Sequence, residues 1–144
     1  VSAANDYVDQ TTKLASAAVS RLPALNLVCV DNDRRILEGM KSLLSQWGCK
    51  VTTATNSSEA MQIANTPDAV LADYHLDHEN GLQLIALMRD KFGRNLPALL
   101  LTADRSLEVR QMADAADVIL LNKPIKPAAL RAALMRNRTE LAAE

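Results

Sequence analysis

Short apolar runs alternate along this chain with longer stretches whose apolar residues recur every three or four positions. Leu25-Asn26-Leu27-Val28-Cys29-Val30 has almost no polar face, which predicts a strand buried on both sides, as in a parallel sheet between helix layers. Ile36, Leu37, Met40, Leu43, Leu44 and Trp47 then form one continuous helical stripe. Gly48 stands where a left-handed backbone ends such a helix. Val51-Thr52-Thr53-Ala54 reads as a second strand. Asn56 with Glu59 resembles a capping box and opens a short helix through Ala60, Met61 and Ile63. A third strand, Val70-Leu71-Ala72-Asp73, ends on an acid. From Gly81 the positions Leu82, Leu84, Ile85, Leu87, Met88 and Phe92 predict a helix closed by Gly93. Residues 97–102 form a fourth strand ending on Thr102, and a weaker helix carries Leu107, Met112 and Ala113. Asp117 to Leu121 is a fifth strand, closed by Asn122-Lys123-Pro124. A last helix starts near Pro127, a residue suited to a first helical turn, and runs through Leu130, Leu134 and Leu141.

The order is (βα)5, which predicts an α/β fold with a doubly wound five-stranded parallel sheet. Loosely helical spacing over residues 1–22, interrupted by Pro23, predicts an extra N-terminal helical segment or linker over 1–24, with the domain proper over 25–144. A length of 144 residues suits one such domain. With 49% apolar but only 3% aromatic residues, its core is aliphatic. A net charge of −1 provides no basic footprint for nucleic acid. No apolar run reaches the roughly 18 residues of a membrane span. Cys29 and Cys49 lack any metal or redox spacing and read as buried free thiols, so the expected location is cytoplasmic.

Chemistry gathers at the carboxyl ends of the strands, where open parallel sheets carry their sites. Asp31-Asn32-Asp33 follows the first strand, Asp73 ends the third, Thr102 ends the fourth and Lys123 follows the fifth. Each has a bland reading alone: Asp33 as a helix N-cap, Thr102 as a strand-end hydroxyl, Lys123 as a solvated amine. Together, acids, a hydroxyl and an amine suit Mg²⁺ and a phosphoryl group, since hard oxygens hold Mg²⁺ and Lys and Thr supply donors.

From Val30-Asp31-Asn32-Asp33, Ala72-Asp73 with Gly81 eight positions on, Leu101-Thr102-Ala103 and Asn122-Lys123-Pro124, the chain resembles the receiver domains of two-component signalling over residues 25–141. The resemblance implies a flavodoxin-like fold and Asp73 as acceptor of a phosphoryl group from phosphohistidine on a histidine kinase or phosphotransfer domain. It implies Mg²⁺ as cofactor, held by Asp31, Asp73, the residue at position 32 and the backbone carbonyl of His75. Thr102 and Lys123 would contact phosphoryl oxygens, and the Lys123–Pro124 bond is cis in many relatives. His75 and Asp104 would flank the hydrolytic water and set the lifetime of the acyl phosphate.

Three positions depart from the family pattern. Asn32 replaces an acid, which predicts weaker Mg²⁺ binding unless Asp33 reaches in. Leu120 replaces the aromatic residue of the switch, which argues against readout through a ring rotamer. Asp77 stands where many relatives have proline, which predicts a looser loop. Two other readings compete: a phosphorylation-independent receiver acting as an interaction module, and a haloacid-dehalogenase-type phosphohydrolase using Asp31-x-Asp33. The latter lacks a later acid pair for its metal. With no output domain after Leu134 and a start at Val1, the expected setting is the terminal receiver of a hybrid sensor histidine kinase, its partner kinase or phosphotransfer domain within the same chain; homodimerisation is compatible with it.

Overall fold

The computed structural model describes residues 24–143; the helical segment expected over 1–22 lies outside them. Five parallel strands form one sheet in the order β2-β1-β3-β4-β5. They are β1 (Asn26–Val30), β2 (Lys50–Ala54), β3 (Ala69–Asp73), β4 (Ala98–Thr102) and β5 (Ile119–Asn122). The helices are α1 (Arg34–Gln46), α2 (Ser57–Ala60), α3 (Gly81–Phe92), α4 (Leu107–Ala115) and α5 (Pro127–Ala143). This is the doubly wound architecture that the alternation of patterns predicts.

Strand periodicity explains the two cores. In β1, Val28 and Val30 face one apolar cluster with Val70, Ala72, Leu84, Ile85, Met88 and Leu100. Leu27 and Cys29 face the other, with Leu37, Leu44, Trp47, Leu71, Leu99, Leu130 and Leu134. Successive side chains of a strand point to opposite faces, so α3 and α4 cover one side and α1 and α5 the other. Burial pushes the Cys29 thiol up to about 12, with a smaller push from Cys49, so both cysteines are free, buried thiols rather than reactive ones.

Helix ends follow local chemistry, with corrections to the sequence reading. Asp33 caps α1, and Gly48 leaves it at φ +86° with Cys49 N–H donating to the Leu44 carbonyl. Ile36, expected in the buried stripe, is 41% exposed because Leu37 beside it already fills the facing position. Asn56 caps α2, but the Glu59 carboxylate accepts from Thr55 N–H at 2.6 Å and from the Thr55 hydroxyl. The capping box is therefore displaced by one residue, and α2 stops at Ala60 instead of running to Ile63. A full box opens α3 instead, between Asn80 and Gln83. The fifth strand begins at Ile119, two residues later than the expected start at Asp117. Asp117 has φ 57° and Val118 N–H donates back to the Ala113 carbonyl, so both belong to the end of α4. At its other end Asn122 pairs with Thr102 as a strand residue.

Candidate functional site

The register of the strands aligns their carboxyl ends. Asp73 lies opposite Leu101, and Thr102 opposite Asn122. Beyond them, Tyr74 N–H donates to the Leu101 carbonyl at 2.8 Å and Lys123 N–H to the Thr102 carbonyl at 2.8 Å. These extensions carry the loops in step past the sheet edge, and the Lys123–Pro124 bond is cis.

Three polar side chains at this edge are buried: Asp31 (5% exposed), Asp73 (6%) and Thr102 (1%). Lys123 reaches over them, its Nζ 2.6 Å from Asp73 Oδ1 and 3.9 Å from Asp31 Oδ2. One ammonium thus faces two carboxylates. Burial raises the Asp31 carboxyl above its ordinary range, and the Asp73 charge adds to that; the Asp33 backbone N–H, donating to Asp31 Oδ1 at 2.8 Å, and Lys123 oppose it. An acid-rich, desolvated pair with a single cation is electrostatically incomplete, and its free oxygens are hard donors of the kind that Mg²⁺ takes.

Thr102 Oγ1 accepts from Asp104 N–H at 2.9 Å, which orients its hydroxyl and leaves the proton free to donate. Asp104 is half-buried at the mouth, its carboxyl held below the ordinary range first by the Ser106 N–H and, more weakly, by His75 across the opening. His75 is exposed and bridges to Asn80.

The remaining candidates lie elsewhere. Asp33 does not reach into the pocket: its side chain caps α1 through Arg35 N–H at 2.9 Å and pairs with the Arg35 guanidinium at 3.5 Å. Leu120 sits half-buried within β5, opposite Leu100 and packed against the α3–α4 core. Asn32 is exposed, and its Nδ2 donates to Asp77 Oδ1 at 2.7 Å. That contact went unread in the sequence, as did the seat of Gly81. A Cβ on Gly81 would press on the Asp73 carbonyl oxygen and stand 2.7 Å from Leu100 Cδ1. The loop expected to be loose is instead braced: the His75–Asn80 bridge, Leu76 N–H to the Glu79 carbonyl at 3.2 Å and Ser57 N–H to Glu79 Oε1 at 2.8 Å tie it down.

Comparison with known proteins gives a consistent result. A family model described as the response regulator receiver domain matches residues 27–135. Among curated relatives, Response regulator MprA of Mycobacterium leprae (strain TN) is 32% identical over 127 residues, covering 83% of this chain and 55% of that protein. Protein RcaC of Microchaete diplosiphon is 31% identical over 115 residues, 76% of this chain but 18% of that protein. The chain thus spans about half of the first of these relatives and less than a fifth of the second. Among solved structures, Vibrio cholerae chemotaxis protein CheY4 superposes with a TM-score of 0.72 at 25% identity, covering 79% of this chain and 98% of that one. A receiver domain protein from Clostridium thermocellum shares the fold, with a TM-score of 0.74 at 24% identity over 82% of this chain and 98% of that one.

Proposed function

The chain belongs to the response regulator receiver domain family, and from that premise we propose that Asp73 accepts a phosphoryl group from a phosphohistidine on a histidine kinase or phosphotransfer domain. The observation that carries this reading is the contact of Lys123 Nζ with Asp73 Oδ1 at 2.6 Å, with Asp31 and the Thr102 hydroxyl at the same sheet edge. A carboxylate oxygen of Asp73 attacks phosphorus, the phosphorus–nitrogen bond to imidazole breaks, and the electron pair returns to the ring. Lys123 lowers the repulsion between carboxylate and phosphoryl oxygens, and Thr102 donates its hydroxyl proton to one of them. Such catalysis is mostly positioning and electrostatics. Water later attacks phosphorus, releasing inorganic phosphate and restoring the carboxylate.

Mg²⁺ fits the donor set. Asp31, Asp73, the His75 carbonyl and Asn32 would hold it, and when bound it neutralises phosphoryl charge. Two carboxylates together with carbonyl, amide and water oxygens would make a shell of the hard donors that this cation takes.

Incubation with acetyl phosphate and Mg²⁺ tests the reading: a mass gain of one phosphoryl group is expected, abolished by Asp73→Asn. No gain, together with no beryllofluoride binding, would instead support a phosphorylation-independent interaction module. His75 and Asp104 face each other at the mouth and set the lifetime. Exchanging their charges by His75→Glu with Asp104→Lys is expected to change the decay of the phosphorylated form several-fold; an unchanged decay rate removes that role. Protein RcaC and Response regulator MprA carry this region within longer chains, which supports a longer natural polypeptide; that this polypeptide is a hybrid sensor histidine kinase is the setting we assign it. A natural reading frame encoding only a receiver would overturn that setting.

A further inference from the structure

We propose that Asp77 is a positioning residue for the divalent-cation site: by binding one end of the Asn32 side-chain amide, it makes Asn32 an oxygen ligand. This rests on the phosphoacceptor reading above and deepens it.

An Asn amide has two nearly isosteric ends, an NH₂ that donates and a carbonyl oxygen that accepts, and its partners decide which faces where. An ionised carboxylate only accepts. Asp77 Oδ1 takes Asn32 Nδ2 at 2.7 Å, across 45 positions of sequence, and Oδ1 is then the only other polar atom of that side chain. The bond also polarises the amide, drawing electron density toward its oxygen, as partners behind metal ligands do. Asp77 is no wandering surface acid, because its loop is braced at His75–Asn80, Leu76–Glu79 and Ser57–Glu79. Nor can Asp33 substitute, since its carboxylate is committed to α1 and Arg35. The two residue types also require each other. An acid at position 32 in the same rotamer would set two carboxylates at hydrogen-bond distance.

A double-mutant cycle read by calorimetric titration of the unphosphorylated chain with Mg²⁺ alone tests this. Asp77→Ala should weaken Mg²⁺ binding on the order of tenfold, as loss of a partner behind a ligand does. Asn32→Asp presents an oxygen at either end and needs no orienting, so adding Asp77→Ala in that background should leave the affinity unchanged or raise it. Equal weakening in both backgrounds would reduce Asp77 to a bystander charge, and no weakening in the Asn32 background would remove its role; either overturns the proposal. Thermal unfolding without cation checks that each variant is folded. If the unaltered chain binds no Mg²⁺ at all, the phosphoacceptor reading fails with this one. Binding that is lost in Asp31→Asn but indifferent to Asp77→Ala sinks this inference alone.

Discussion

Asp31 shows how much of the site's behaviour is set by a single buried carboxylate. Its carboxyl titrates above its ordinary value of 3.8, burial being the main cause. The folded chain therefore holds that proton more tightly than the unfolded chain, and linkage makes stability fall as pH rises from about 4 through the raised value. Asp31→Asn keeps an oxygen for the Asp33 N–H and removes the titration. Urea unfolding in chelator should find the variant more stable than the unaltered chain at pH 7, with the gap closing as pH falls toward 3.8 and below. A variant that is less stable at pH 7, or a gap independent of pH, would refute the assignment. At this scale Asp31, Asp73, Thr102 and Lys123 were all legible, because each ends a predicted strand or follows one in a short loop. The Asn32–Asp77 bond was not, since nothing local in sequence marks a contact between residues 45 positions apart.

Among the elements, α3 packs directly against the end of the strand that carries Asp73. Its first residue, Gly81, donates its N–H to the Tyr74 carbonyl at 2.9 Å and leaves no space for a Cβ beside the Asp73 carbonyl and Leu100. Gly81→Ala should thus destabilise by about 1–3 kcal/mol through overpacking, although alanine is the better helix former by about 1 kcal/mol. Chemical denaturation decides between these opposed effects, and a stabilised variant would show that the first turn of α3 yields. Sequence periodicity found every element here but misjudged several ends. The Val118 side chain is buried like a strand residue while its backbone caps α4, and an apolar run cannot separate those two roles. Glu59 likewise has the spacing of a capping box, yet Thr55 offers its carboxylate a backbone N–H and a hydroxyl together.

For the whole molecule, one side chain ties together two turns on the same side of the sheet. Arg89, near the end of α3, donates Nε to the Leu96 carbonyl at 3.0 Å, Nη2 to the Asp117 carbonyl at 2.9 Å and Nη1 to the Ala116 carbonyl. It fastens the α3–β4 turn to the α4–β5 turn. Arg89→Ala should cost about 2 kcal/mol, mostly from the carbonyl of buried Leu96 losing its donor. Arg89→Lys should recover only part of this, because one ammonium cannot match a planar fork. Equal stability of the lysine variant and the unaltered chain would argue against the fork geometry. The two-faced sheet was legible because every strand's apolar residues alternate between cores; this staple was not, since its acceptors are backbone atoms. The parallel sheet has a further consequence. All five strands run toward the rim that holds Asp73, and α5 folds back along the sheet after β5. The described backbone therefore begins, at residue 24, on the rim opposite Asp73, and α5 heads back toward that same rim, so neither end of the described segment crowds the loops around Asp73.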